Sequence, residues 1–281
     1  SKKIGCVIAY KNNHTNYGTS LVGYALIKKL QQLGNDVEVI NYVKHPTFKE
    51  KVVIGINQIR VTGFFNFLKK RFAPKPTNLN YINGIKIRTK AVEAYKERKL
   101  IPLFRDYVGF NALQKGSKNY DAIVVGSDQV WLPLGLKTKF FNLLFVDDNV
   151  RKIAYASSFG VSEIPLFQKK DTATYLDRFY RISVREQKGK EIVDSLSKKK
   201  AEVVADPTML LDRSEWAEEI TSSQVDTSVP YVFCYFLGNN PEARKAANEL
   251  KAKTGLKIIT IRHMDEFVEA DEQFGDEAPY D

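Results

Sequence analysis

The chain has 281 residues, 43 Lys+Arg against 33 Asp+Glu for a formal net charge of +10, and 43% hydrophobic with 12% aromatic residues. That length points to one large or two ordinary domains, and that apolar content excludes a disordered chain. No apolar run reaches the ~18–20 residues of a membrane span, no leader precedes the first strand-like run, and two cysteines are too few for a disulfide framework or zinc site, so a soluble cytoplasmic protein is expected.

In chain order, IGCVIAY (4–10) is near-continuously apolar, as in a strand buried on both faces, and KNNHTNYGTS (11–20) is a polar loop. LVGYALIKKLQQLG (21–34) has helical spacing and stops at Gly34, and DVEVINY (36–42) is the next strand. The stretch 46–118 is expected to be a basic insertion of helices and loops, with KAVEAYKERKLIPLFRDY (90–107) helical in spacing. Residues 49–119 hold 16 Lys/Arg and 4 Asp/Glu, whereas 264–281 hold 8 acids and no base. Such a basic stretch suits a solvated face, an anionic ligand or anionic lipid headgroups, and no nucleic-acid motif accompanies it.

Beyond it, YDAIVVGSDQVW (120–131) and RKIAYASSFG (151–160) each read as a strand followed by a small polar loop. DTATYLDRFYRISVRE (171–186) reads as helix then short strand, KGKEIVDSL (188–196) as helix, and AEVVADPTMLL (201–211) as strand then loop. Strands alternating with helices predict an α/β fold with a doubly wound parallel sheet over 1–217. After the polar stretch EEITSSQVDTSVP (218–230), a second unit over 218–281 begins with strand YVFCYFLG, a helix from Pro241 and strand LKIITIR (256–262). About 50 residues hardly bury a sheet of their own, so this unit is expected to be the start of a larger domain.

In such sheets ligands bind beyond the carboxyl ends of the strands. Four loops there are candidates: His14 to Ser20, Gly126-Ser127-Asp128-Gln129, Ser157-Ser158-Phe159-Gly160 and Asp206-Pro207-Thr208. Taken singly, each also reads as an ordinary cap or turn. Arg185 ends the strand ISVRE and offers a planar, permanently charged fork for a carboxylate or phosphate, or a salt bridge to Glu186 or another acid. His14 lies in the first loop, His45 reads as a loop residue, and His263 follows a strand of the second unit. GxxxxGK[ST], GxGxxG, GxSxG and HExxH are all absent, and no His/Cys/Asp/Glu cluster has ligand spacing, so no metal and no cofactor is expected.

The ordered set NYGTSLVGYAL (16–26), YDAIVVGSDQVW (120–131), KIAYASSFG (152–160), ISVRE (182–186) and VVADPTMLL (203–211) resembles the polysaccharide pyruvyl transferase family. The resemblance implies a GT-B-like architecture of two Rossmann-like halves, the second incomplete here. It implies transfer of the enolpyruvyl group of phosphoenolpyruvate onto a sugar of an exopolysaccharide, capsule or cell-wall glycan precursor, giving a pyruvate ketal. Its partners would be phosphoenolpyruvate as donor substrate and a glycan or lipid-linked saccharide acceptor. Nucleic acid is not expected, and peripheral association at the inner membrane is. The resemblance carries over Arg185, Asn16, Gly18 and Asp128; with Ser127, Ser158 and His14, taken from the candidate loops themselves, they make up the expected substrate-binding set.

Three departures qualify the resemblance. Thr19 stands where many members have an acid, and Trp131 is followed by Leu132-Pro133 rather than Asn-Pro. The family's catalytic histidine motif is expected beyond Asp281, so the catalytic residue is unknown and this form is expected to be weak or inactive. The alternatives are a nucleotide-sugar glycosyltransferase of GT-B type and a non-catalytic glycan- or anion-binding relative.

Overall fold

The structure, a computed structural model, describes residues 1–10, 17–71, 79–219, 228–235, 241–260 and 272–273. The chain opens as β1 (Lys3–Val7), α1 (Tyr17–Gln32) and β2 (Asp36–Val43). Helices α2 (Phe48–Thr62), α3 (Phe64–Arg71) and α4 (Leu79–Lys99) follow, then β3 (Phe104–Val108) and α5 (Phe110–Ser117). The rest of the main sheet comes from β4 (Ala122–Val125), β5 (Arg151–Ser157), β6 (Arg181–Val184) and β7 (Ala201–Val203), with α6 (Lys169–Leu176) and α7 (Gln187–Leu196) between them. The chain then continues through α8 (Arg213–Ala217), β8 (Tyr231–Cys234), α9 (Pro241–Thr254), β9 (Lys257–Thr260) and β10 (Glu272–Gln273).

The seven-stranded sheet runs β3-β2-β1-β4-β5-β6-β7 with every pairing parallel. From β1 the chain winds outward through β2 to β3, returns to the far side of β1 as β4, and winds outward again to β7. The order therefore reverses between β1 and β4, the point at which doubly wound sheets open a crevice at their carboxyl ends. The α/β, doubly wound Rossmann-like expectation is met, helices flanking the sheet as in GT-B-like halves. Central strands carry no solvent face: β4 is buried along its whole length, and Cys6, Val7, Ile123 and Val125 are fully enclosed. Both cysteines are free and buried, and enclosure pushes the Cys6 thiol up to about 12.

One expectation is corrected. The helical reading of 90–107 fails after Lys99: Ile101–Leu103 forms a single 3-10 turn with Pro102 at its start, and Phe104–Val108 pairs with β2. Proline at that point cannot continue a helix, and the half-exposed β3 alternates too weakly to announce itself. β3 is an edge strand, and Arg105 and Asp106 on it are exposed, which accounts for its mixed composition.

Two compact units divide the chain. One comprises Ser1–Asn13, Gly18–Ala73 and Lys99–Asp212, the other His14–Tyr17, Pro74–Arg98 and Arg213–Asp281. The first holds the seven-stranded sheet, and the second holds most of α4 with the parallel three-stranded sheet β10-β9-β8. Along α4, Arg88, Val92, Tyr95 and Lys96 are buried at helical spacing, so part of this basic helix is packed rather than solvated. Burial lowers the Lys96 ammonium below its usual range.

Candidate functional site

The loop after β4 is fixed by contacts that only its residue types permit. A Cβ on Gly126 would lie 2.0 Å from the Tyr155 carbonyl oxygen, and its φ of 140° is hostile to any side chain. Asp128 sits in the left-handed region at φ 79°, which aspartate tolerates because its carboxylate bonds its own backbone. Its Oδ1 accepts from the Gln129 amide at 2.8 Å, and its backbone oxygen accepts from the Val130 and Ser158 amides at 2.7 and 3.0 Å. Trp131 anchors the loop's far end: its indole donates to the Phe141 carbonyl at 3.1 Å, and its ring packs on Phe159, Tyr175 and Phe179.

Three further segments meet this loop at the carboxyl edge of the sheet. Thr19, in the first turn of α1, donates its hydroxyl to Asp128 Oδ2 at 3.0 Å, joining the two sides of the β1/β4 switch point. Ser158, just beyond β5, donates to Glu186 and accepts from the Gly160 amide at 3.0 Å. Asp206, just beyond β7, accepts from the Thr208 amide and hydroxyl on Oδ1 at 3.0 and 2.8 Å, which caps the turn Pro207–Leu210.

Arg185, at the end of β6, stands among the carboxylates these segments supply. Its Nη1 donates to Asp206 Oδ2 at 3.0 Å, Glu186 Oε2 lies 3.8 Å from Nε, and Asp128 Oδ1 lies 4.0 Å from Nη2. The arginine side chain is 32% exposed, so the fork is held in place without being sealed off. Each carboxylate has a second partner of its own: Thr208 for Asp206, Ser158 for Glu186, and Thr19 for Asp128. Three acids around one guanidinium leave this group formally two charges negative. Burial, and after it the Asp206 charge, raises the Tyr155 phenol above its usual range.

Of the residues singled out from sequence, Arg185, Asp128 and Ser158 therefore come together, and Gly18 stands exposed in the first turn of α1 beside Thr19. Ser127 is 1% exposed and donates its hydroxyl to the Ala156 carbonyl, so it secures the irregular end of β5. The Ser158 hydroxyl is likewise buried and engaged inside the protein. His14 and Asn16 lie outside the described residues. Sequence reasoning named Glu186 as a salt-bridge partner of Arg185, but missed Asp206 and Asp128 as its other companions and Thr19 as the partner of Asp128. Asp206-Pro207-Thr208 did carry a signal, an aspartate before proline being a common helix start.

In the first turn of α1, the Ser20 hydroxyl is fully buried and has no hydrogen-bond partner. It adds a polar atom to a helix start that already favours negative charge. Among the described residues no group of three or more His, Cys, Asp or Glu side chains is arranged to hold a metal ion. No helix among them is long and apolar enough to cross a membrane.

Comparison with curated proteins gives no match. The family model for polysaccharide pyruvyl transferase matches residues 16–276, which takes in α1 and the loops after β4, β5, β6 and β7. That span covers nearly the whole chain, and the chain belongs to the polysaccharide pyruvyl transferase family.

Proposed function

We propose that this protein transfers the enolpyruvyl group of phosphoenolpyruvate onto two hydroxyls of one sugar in a glycan precursor, forming a pyruvate ketal and releasing phosphate. The observation that carries the reading is the position of Arg185 inside the family-matched span, at the carboxyl edge of the sheet and open to solvent. The donor has a carboxylate and a phosphate, and a guanidinium fork with a neighbouring helix start is a chemically apt grip for that pair.

The reaction makes three bonds at the donor, one C–H and two C–O, and breaks its C=C π bond and its carbon–oxygen bond to phosphate. A proton adds to the methylene carbon, making a methyl group and leaving the adjacent carbon electron-poor. One sugar hydroxyl attacks that carbon and loses its proton. A second hydroxyl then attacks as the carbon–oxygen bond to phosphate breaks, so two hydroxyl protons are balanced by one new C–H bond and one proton on phosphate. A carboxylate beside the reacting carbon would stabilise its positive character, and Asp128 and Glu186, 4.0 and 3.8 Å from the Arg185 guanidinium, are the candidates for that role.

In this reading Arg185 turns from Asp206 toward the donor, while Asp206 keeps both bonds to Thr208. His14, Asn16 and Gly18 are the candidate donor contacts from the start of α1 and the sequence just before it. The reaction is placed in the cytoplasm, because a multiply charged donor does not cross a bilayer unaided.

The test is product analysis with phosphoenolpyruvate and a panel of saccharide acceptors. An acceptor that gains the mass of one pyruvate ketal, with one phosphate released, is the expected result. A gain of one hexose from a nucleotide sugar would replace this reading with the glycosyltransferase.

A further inference from the structure

Helix α2 carries its apolar residues on the wrong side for a helix of a globular protein. It buries Asn57, which donates to the carbonyls of Pro133 and Leu134 at 3.2 and 3.3 Å and accepts from Gln168 at 2.7 Å. On the opposite face Phe48, Val52 and Ile56 recur every four residues and are 83%, 43% and 53% exposed. The chain then turns at Gly63 into α3, which begins with Phe64 and Phe65, 55% and 85% exposed. Near the end of α2, Arg60 lies 4.0 Å over the Phe167 ring, whose neighbour Leu166 is 81% exposed.

Cations frame this apolar surface. Lys49, Lys51, Arg60 and Lys69 are all exposed, and the one acid of α2, Glu50, is drawn into a capping box with Thr47. Backbone and side-chain hydrogen bonds from Thr47 hold the Glu50 carboxyl below its usual range, which keeps it committed to the cap.

We propose that the α2–α3 hairpin is an interfacial anchor that seats Phe48, Phe64 and Phe65 in an anionic phospholipid bilayer, with Lys49, Lys51, Arg60 and Lys69 on the headgroups. Charge decides the occupant. A second copy of the chain meeting this face across a two-fold axis would set four cations against four, whereas an anionic bilayer neutralises all of them. Shape agrees: exposed phenylalanines at the starts of two helices, with Phe64 and Phe65 packed edge-on at 5.9 Å, suit the soft headgroup–acyl boundary.

The experiment is co-sedimentation of the intact chain with vesicles, which needs neither donor nor acceptor and so stands apart from the proposed activity. Phosphatidylcholine vesicles are compared with vesicles in which about a third of the lipid is phosphatidylglycerol, at low and high salt. Binding to the anionic vesicles alone, falling with salt, is expected. The double variant Phe64→Ser/Phe65→Ser should partition roughly tenfold more weakly or worse. Because both side chains are exposed, its thermal midpoint should stay at the wild-type value, which separates lost anchoring from lost fold. Lys49→Gln/Lys51→Gln should weaken binding and flatten its salt dependence. Equal sedimentation with both vesicle types, or with neither, overturns the proposal. So does a dimer, seen by sedimentation velocity, that the Phe64→Ser/Phe65→Ser change dissociates.

Discussion

At the residue scale, the site is built by giving every polar atom near Arg185 a second duty. Asp128, Glu186 and Asp206 each bond a loop residue before they reach the arginine, so its position is fixed from three directions. That is why Arg185 and Asp128 were visible from sequence but their grouping was not. Motif residues announce themselves one by one, whereas Asp128 and Asp206 become companions of Arg185 only when the carboxyl ends of β4, β6 and β7 come together. Ser127 and Ser158 carry bonds within the protein, Ser127 to the buried Ala156 carbonyl and Ser158 to Glu186. Gly126 makes the sharpest prediction at this scale. Alanine there would need to occupy space 2.0 Å from the Tyr155 carbonyl oxygen at a φ of 140°. Strain and overpacking together should cost about 3 kcal/mol or more, read as a lower urea midpoint at unchanged slope. An unperturbed midpoint would mean that the loop after β4 follows another path.

Among elements, strong periodicity translated well and weak periodicity did not. The strand β4 and the helices α1, α7 and α9 follow apolar patterns that a single period explains. β3 was absorbed into a preceding helix because Arg105 and Asp106 on an edge strand mimic a charged helix face. α2 is the instructive case, for Phe48, Val52 and Ile56 face outward on it while Asn57 is buried. The helix is docked by polar bonds centred on Asn57, which ties it to the Pro133–Thr138 turn and to Gln168. Replacing Asn57 by leucine should therefore destabilise the protein, by about 2 kcal/mol, although it adds an apolar side chain at a buried site. Two carbonyls and the Gln168 amide would lose a partner together. Chemical denaturation checks this, and a neutral or stabilising result would show that α2 is held by packing alone.

On the scale of the whole molecule, the alternation of strands and helices fixed the class of fold, and the reversal between β1 and β4 fixes where a ligand crevice belongs. The basic excess did not point to one place. Part of it is buried along α4, and part surrounds an exposed apolar hairpin on the unit that carries Arg185. Family membership then gives the chain its class of chemistry, pyruvyl transfer onto polysaccharide. What the account stakes on this edge is that Arg185 grips an anionic donor as well as its neighbouring acids. The direct measurement is calorimetric titration of phosphoenolpyruvate into the intact chain and into Arg185→Ala, with thermal melts of both. Loss of a charged fork should weaken binding by about 2 kcal/mol or more, roughly 30-fold, in a variant that still folds. Equal affinity for phosphoenolpyruvate in both proteins would contradict the account and leave Arg185 as a clasp between β6 and β7.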